Sequence, residues 1–101
     1  MHTIIWRFVA RPAHEEAFIR VYGADGRWTE LFRRVPGFIR TELFRNEAAE
    51  REFLVLDHWE SGVAFDAFKA AHGADYEALD RECEAMTERE EKIAVTDSAL
   101  S

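Results

Sequence analysis

A single cysteine, Cys83, leaves no partner for an internal disulfide. The fold must be held by its core, without covalent staples. No apolar run approaches the roughly 20 residues that a helix needs to cross a bilayer. There is no linker, no low-complexity tract and no useful internal repeat. Positive charge is in deficit: 13 Lys and Arg stand against 20 Asp and Glu, a net charge of −7. An acidic chain repels phosphate backbones, which argues against nucleic acid as a partner. Met1-His2-Thr3-Ile4 has neither a basic n-region nor a small-residue cleavage site. Together these absences point to the cytoplasm.

Several chemistries lack their parts. The histidines are His2, His14, His58 and His72, with no helical i, i+3 or i, i+4 pair among them. Cys-x-x-Cys is absent too, so no built-in metal site is expected. No glycine-rich loop joins a strand to a helix, as a nucleotide site would need. The serines are Ser61, Ser98 and Ser101. The first reads as a helix cap and the others lie in the tail, so a hydrolytic triad has no nucleophile.

What is present is a chain of 101 residues, 48% hydrophobic and 33% charged. That suits one globular domain spanning residues 1–101. Phe53 to Leu56 is apolar without alternation, the mark of a strand buried on both faces. Asp57, His58, Trp59 and Glu60 follow, groups able to line a cavity mouth. Thr3 to Ala10 reads as a first strand, rich in β-branched and aromatic residues. Pro12 suits a first helical turn. Ala17, Phe18, Val21 and Tyr22 then share a helix face. Gly23 to Gly26 breaks that helix, and Asp25 is expected to cap a second piece bearing Trp28, Leu31, Phe32 and Val35. Pro36-Gly37 stops it. Phe38 to Arg45 and Glu52 to Trp59 form a hairpin across a polar turn at Asn46 to Arg51. Arg40 and Glu42 fall on one face of its first strand, near enough to pair.

Ser61 can cap a helix carrying Ala64, Phe65, Phe68 and Ala71. His72-Gly73 is expected to end that helix as a glycine C-cap. Asp75 would then cap a further helix with the stripe Tyr76, Leu79, Cys83 and Met86. On that stripe Cys83 reads as a buried small hydrophobe. Lys92 to Asp97 is expected as a short last strand, and Ser98 to Ser101 as a frayed end.

The order strand, helix, strand, strand, helix, strand is the ferredoxin-like βαββαβ plan of the α+β class. It predicts a four-stranded antiparallel sheet with helices on one face and strands one and three at its centre. If Trp6 and Phe8 point at the helices, Ile5 and Val9 lie on the bare face. A bare apolar sheet face is a candidate homodimer interface.

Three local patterns carry a family resemblance across nearly the whole chain. Leu31-Phe32-Arg33-Arg34-Val35-Pro36-Gly37-Phe38 is one, Thr41-Glu42-Leu43-Phe44-Arg45 the second. The third is Asp57-His58-Trp59-Glu60-Ser61 followed by Phe65 and Phe68. With the element order, they resemble the antibiotic biosynthesis monooxygenase family of dimeric α+β barrel proteins. The resemblance implies that two such sheets pair into a barrel. Family members include cofactor-independent oxygenases, haem degraders and proteins with no established activity, so fold alone does not supply function. Haem-degrading relatives need an Asn in strand one and a Trp on the second helical arm. Trp6 and Phe68 stand at those positions here, which disfavours haem. The resemblance to the oxygenases implies no cofactor, and a substrate able to form a stabilised carbanion.

Two readings of the aromatic residues stay open. Trp6, Tyr22, Trp28, Trp59, Phe68 and Tyr76 can form an aromatic core, or some can wall a pocket for a small aromatic or apolar ligand. His72, at the helix break, is the candidate catalytic base; a solvent-exposed His favoured by the helix dipole is the alternative. His58 is a second candidate for the ligand site. It alternates with Trp59, so only one of the two can face the helices. A cofactor-independent monooxygenase and a non-catalytic binding protein both fit.

Overall fold

The computed structural model describes residues 1–98; Ala99, Leu100 and Ser101 lie outside the described residues, and with them most of the end expected to fray. Strand β1 runs His2–Ala10 and is followed by a 3-10 turn, Pro12–His14. Helices α1 (Glu15–Tyr22) and α2 (Arg27–Phe32) form the first arm. Strands β2 (Phe38–Arg45) and β3 (Glu52–Trp59) form the hairpin. Helix α3 spans Gly62–Cys83, and strand β4 spans Thr87–Asp97. The sheet is antiparallel with the order β2-β3-β1-β4. This is the expected ferredoxin-like α+β plan, with the two most apolar strands at its centre.

Register decides which side chains meet. β1 and β3 pair from His2↔Trp59 through Ile4↔Asp57 and Trp6↔Val55 to Phe8↔Phe53. Directly opposed residues share a face. The even positions of β1 and the odd positions of β3 therefore turn toward the helices. There Phe18, Phe53, Trp59 and Phe68 are fully buried, with Phe8 and Phe32 close behind. Each such ring contributes about 1.5–3 kcal/mol on leaving water. Thr3, Ile5, Arg7 and Val9 take the opposite, helix-free face with Leu54, Leu56 and His58.

Four local expectations need correction. Asp25 does not cap α2; Gly26 stands at its N-cap, and Asp25 lies 3.7 Å from Arg33. A Cβ on Gly26 would come within 2.3 Å of the Val21 carbonyl oxygen, so the chain turns there in a space that only glycine fits. The break at His72-Gly73 is present, but not as a glycine C-cap: His72 leaves the helical region, with φ and ψ of −127° and 23°, and kinks α3 into two helical pieces, while Gly73 does not take the positive φ of such a cap. Asp75, just past the kink, pairs with Arg34 at 2.9 Å instead of capping the second piece. β4 begins five residues earlier than expected, at Thr87 where Lys92 was predicted. Its charged run Glu88 to Glu91 hides the strand, because an edge strand with little cover has no apolar stripe to show. Arg7 on β1 pairs with Glu91 across it at 3.0 Å.

Ser61 does cap α3, accepting from the Ala64 N–H at 3.1 Å. Gly37 joins α2 to β2 with φ of +99°, and a Cβ there would lie 2.6 Å from the Ala64 Cβ. Backbone strain and overlap should together make Gly37→Ala cost about 2–4 kcal/mol, read as a lower denaturation midpoint. Adding Ala64→Gly should recover only the overlap part. Equal stability of Gly37→Ala and wild type would remove this account of the turn.

Candidate functional site

The break between α1 and α2 leaves a gap over the sheet, flanked by Tyr22 and Trp28. α3 closes the gap from the other side with Tyr76 and Asp80. The floor is sheet: Trp6 and Phe8 from β1, Val55 and Asp57 from β3. Glu90 of β4 reaches its edge, and Phe32 its back wall. Counted out to its open mouth the cavity measures about 340 Å³, but only about 30 Å³ has room for a water molecule's centre. That suffices for roughly two waters. A ring-sized ligand must therefore displace a wall, and Trp6 and Tyr76 are the half-buried ones.

The walls interlock. Trp28 meets Tyr76 edge-on at 5.2 Å and Tyr22 at 6.0 Å, and Trp6 stacks along Phe8 at 6.0 Å between centroids. Lys69 lies 3.9 Å over the Tyr76 ring and Lys92 5.2 Å over Trp6, cations held by aromatic faces at the rim. The Trp28 Nε1 is buried without a hydrogen-bond partner.

Asp57 is the polar group within this setting. It is 7% exposed, and among the described residues its hydrogen-bond partner is Thr41, whose hydroxyl donates to Oδ1 at 2.9 Å. Burial pushes its carboxyl up to about 7, with the Thr41 hydrogen bond offsetting part of the rise. Around it the same desolvation acts. Tyr76 is pushed up to about 12 by burial, aided by the charges of Asp80, Asp57 and Glu90. Tyr22 is raised by burial and by Cys83. Glu90 is raised by burial and by Asp80 and Glu84. Burial thus disfavours ionisation of Asp57, Tyr76, Tyr22 and Glu90 alike.

Of the residues singled out in the sequence, Trp6, Tyr22, Trp28 and Tyr76 line this cavity. Trp59 and Phe68 do not; both are fully buried, packed against Phe32 and the partly buried Phe38 and Phe65. His58 is on the other face of the sheet, because its neighbour Trp59 takes the helix side. There its Nε2 donates to Glu42 at 2.6 Å, and Thr3 Oγ1 lies 2.8 Å from its Nδ1. Arg40 does approach Glu42, at 3.5 Å, so Glu42 serves both. His72 is not among the lining residues; its ring stacks on Phe68 at 5.8 Å, and Nδ1 lies 4.0 Å from Asp75. Asp57, which the sequence places only among the groups able to line a cavity mouth, is the one polar group in the floor of this cavity. Its signal was available, since Phe53, Val55, Asp57 and Trp59 form one strand face on which only Asp57 is polar.

A second surface recess lies between α2 and the latter half of α3. It is bridged by Arg27–Glu82 at 2.6 Å and Arg34–Asp75 at 2.9 Å, which makes it a solvated helix seam. Among the described residues no cluster of His, Cys, Asp and Glu is placed to hold a metal. No helix there is long and apolar enough to cross a membrane.

The family model for antibiotic biosynthesis monooxygenases matches residues 1–79. The chain belongs to the antibiotic biosynthesis monooxygenase family. The match reaches from β1 into α3 and so covers most of the cavity lining, leaving out Asp80 and Glu90. SnoaB from Streptomyces nogalater, described as a cofactor-independent oxygenase, is similar in structure. Its TM-score is 0.72 at 22% identity, over 99% of this chain and 94% of that one. PA3566 from Pseudomonas aeruginosa gives 0.68 at 18%, over 98% and 94%. A candidate antibiotic biosynthesis monooxygenase from Deinococcus radiodurans gives 0.75 at 14%, over 100% and 95%. At these identities the likeness is one of fold. Among curated protein sequences none matches.

The Asp57 environment fixes a pH dependence of stability. Its folded value, about 7, exceeds the ordinary carboxylate value near 4. Between those limits the folded state holds more protons than the unfolded one, so this group's contribution falls as pH rises. Asp57→Asn should match wild type at pH 4 and exceed it at pH 8 by on the order of 2–4 kcal/mol, seen as a Tm difference that opens with pH. A difference constant from pH 4 to 8 would show that Asp57 titrates normally.

Proposed function

We propose that this protein is a cofactor-independent monooxygenase acting on a small hydroxylated aromatic substrate of the phenol, quinol or anthrone type. The observation that carries the reading is a ring-walled cavity with one buried carboxyl group in its floor. Aromatic walls bind a flat ring, and a buried acid can exchange a proton with it. Family membership and the fold shared with SnoaB support the same class of chemistry.

The electrons come from the substrate. Removal of a proton leaves an anion whose charge spreads over the rings, and that anion reduces oxygen. In the net reaction an anthrone methylene loses both hydrogens and gains one oxygen as a carbonyl. The second oxygen atom leaves as water with those two hydrogens. Atoms and electrons balance without an outside reductant. The protein's tasks are to hold the ring, move the proton and exclude water.

We also propose a homodimer. Ile5, Val9, Leu54 and Leu56 lie on the helix-free face, and Phe44, 47% exposed, stands beside them on β2. Among the described residues no element of the same chain covers that face, and a second sheet is the partner that would.

Two measurements test these proposals. Oxygen uptake with a panel of phenols, quinols and anthrones should persist with chelators and without flavin or NADPH. Ligand binding with no uptake from any of them would favour the non-catalytic binding protein. Sedimentation should give a dimer at micromolar concentration, and Ile5→Asp should give monomer or aggregate, since it would bury an unpaired charge. A well-behaved wild-type monomer would end the dimer proposal.

A further inference from the structure

We infer that Asp57 is the general base of this site. The inference rests on the oxygenase reading and goes beyond it by naming the group that takes the substrate's proton.

Three carboxylates line the cavity, on three different elements: Asp57 on β3, Asp80 on α3 and Glu90 on β4. Only Asp57 is buried; Asp80 is half-buried and Glu90 is exposed. A proton acceptor more open to water gains less from the site around it, so the two at the rim are weaker candidates than Asp57. Asp57 also has the firmest support. It sits within the central strand, opposite Ile4 on one side and Thr41 on the other. Thr41 fixes Oδ1 by its hydroxyl, and no other side chain among the described residues bonds to the carboxyl. One oxygen is held and the group is still able to turn its other oxygen to a ligand.

No Arg, Lys or His among the described residues lies within ion-pair distance of Asp57. A structural acid buried at this depth would ordinarily have such a partner, because an unpaired buried charge is costly. Here the groups around it are Tyr22 from α1, Tyr76 and Asp80 from α3, Trp6 from β1 and Glu90 from β4. Lys92 and Lys69 are held over the Trp6 and Tyr76 rings. None neutralises Asp57, and its burial opposes its ionisation. The result is a carboxylate more basic than usual, with a folded value of about 7. A general base works best when its pKa lies near the working pH. His72 lacks this placement: its ring packs on Phe68, and it does not line the cavity.

The step is a simple proton transfer. The substrate's O–H or activated C–H bond breaks, its electron pair stays on the substrate, and the proton goes to the Asp57 carboxylate. The proton later joins the reduced oxygen as water forms. A substrate that arrives negatively charged would meet three acids and no Lys, Arg or His in the described lining, with the rim lysines Lys69 and Lys92 held over rings, so the site favours entry of uncharged rings.

Asp57→Asn and His72→Ala should be compared with wild type, using 1,8-dihydroxyanthrone as the probe. The Asn variant keeps the shape and the Thr41 contact and loses the acceptor. Its kcat should fall about 10²–10⁴-fold, while anaerobic binding, read by tryptophan fluorescence, changes less than about threefold. The wild-type kcat should rise with pH through an inflection near 7, and that inflection should vanish in Asp57→Asn. His72→Ala should keep both rate and profile. A second readout needs no turnover. Without oxygen, the bound probe should show its anion spectrum in wild type at a pH where the free compound is neutral, and lose it in Asp57→Asn. Anion formation that depends on Asp57 without oxygen uptake would sustain the base and end the oxygenase reading. Uptake with an unchanged rate and profile in Asp57→Asn would do the reverse. Loss of uptake in His72→Ala alone would move the base to the helix kink, and neither uptake nor anion in wild type would overturn both.

Discussion

The pairing of β1 with β3 is the constraint on which the site depends. Its register sets Ile4 opposite Asp57 and Trp6 opposite Val55. Side chains alternate with a period of two, so a slip of one residue would send Asp57 to the helix-free face and His58 to the helices. The fully buried Phe53 and Trp59 at the two ends of β3 forbid that slip, because it would expose both rings. Aromatic burial thus fixes the register, and the register aims Asp57 into the cavity.

The cavity is the place where the same packing is relaxed. Beneath α3, Phe32, Phe38, Trp59, Phe65 and Phe68 meet one another at centroid distances of 5.1 to 6.4 Å and leave no recess. A few ångströms away, the glycine turn before α2 withdraws one helical turn's worth of cover. Tyr22 and Trp28 then face a gap in place of another ring. The two clusters join through Trp28 and Phe32, 5.8 Å apart. One dense cluster supplies stability, and the adjoining looser one can admit a ring only where the half-buried Trp6 or Tyr76 gives way. An acid with no cation partner is tolerable in the second only because the first exists.

The fold was legible because its signals are periodic. Unbroken apolar runs marked the central strands, i, i+3, i+4 spacing marked the buried helix faces, and Pro36-Gly37 marked the turn. The errors share a cause. Helix caps at Asp25 and Asp75 were inferred from residue type, but capping needs a particular backbone geometry that composition does not carry. Asp75 was claimed instead by Arg34, 41 positions away in the chain. His72-Gly73 does mark a break, but its form is a kink between two helical pieces, each anchored by a buried side chain, Phe68 before it and Leu79 after it. For the site, the rings were recognisable as a set. Which of them wall the cavity and which fill the core depends on where two helices leave a gap, and local sequence does not state that. Asp57 was legible as a cavity-mouth group but not singled out from its polar neighbours, although its alternation with Val55 and Trp59 already placed it on an apolar face.

Asp57 and His58 are adjacent in sequence and opposed in space, and that opposition divides the sheet's work. Toward the helices, Asp57 has a hydroxyl and rings around it and no counter-charge. On the other face, His58 lies between Thr3 and Glu42 with both ring nitrogens engaged. The histidine, whose ordinary pKa would suit a base, is held by partners and removed from the cavity. The aspartate, whose ordinary pKa would not, is shifted toward neutrality by its surroundings. Residue type alone therefore ranks the candidates in the wrong order. Environment reverses the ranking, because desolvation raises a carboxyl while a histidine with both nitrogens bonded has no free lone pair to offer a ligand.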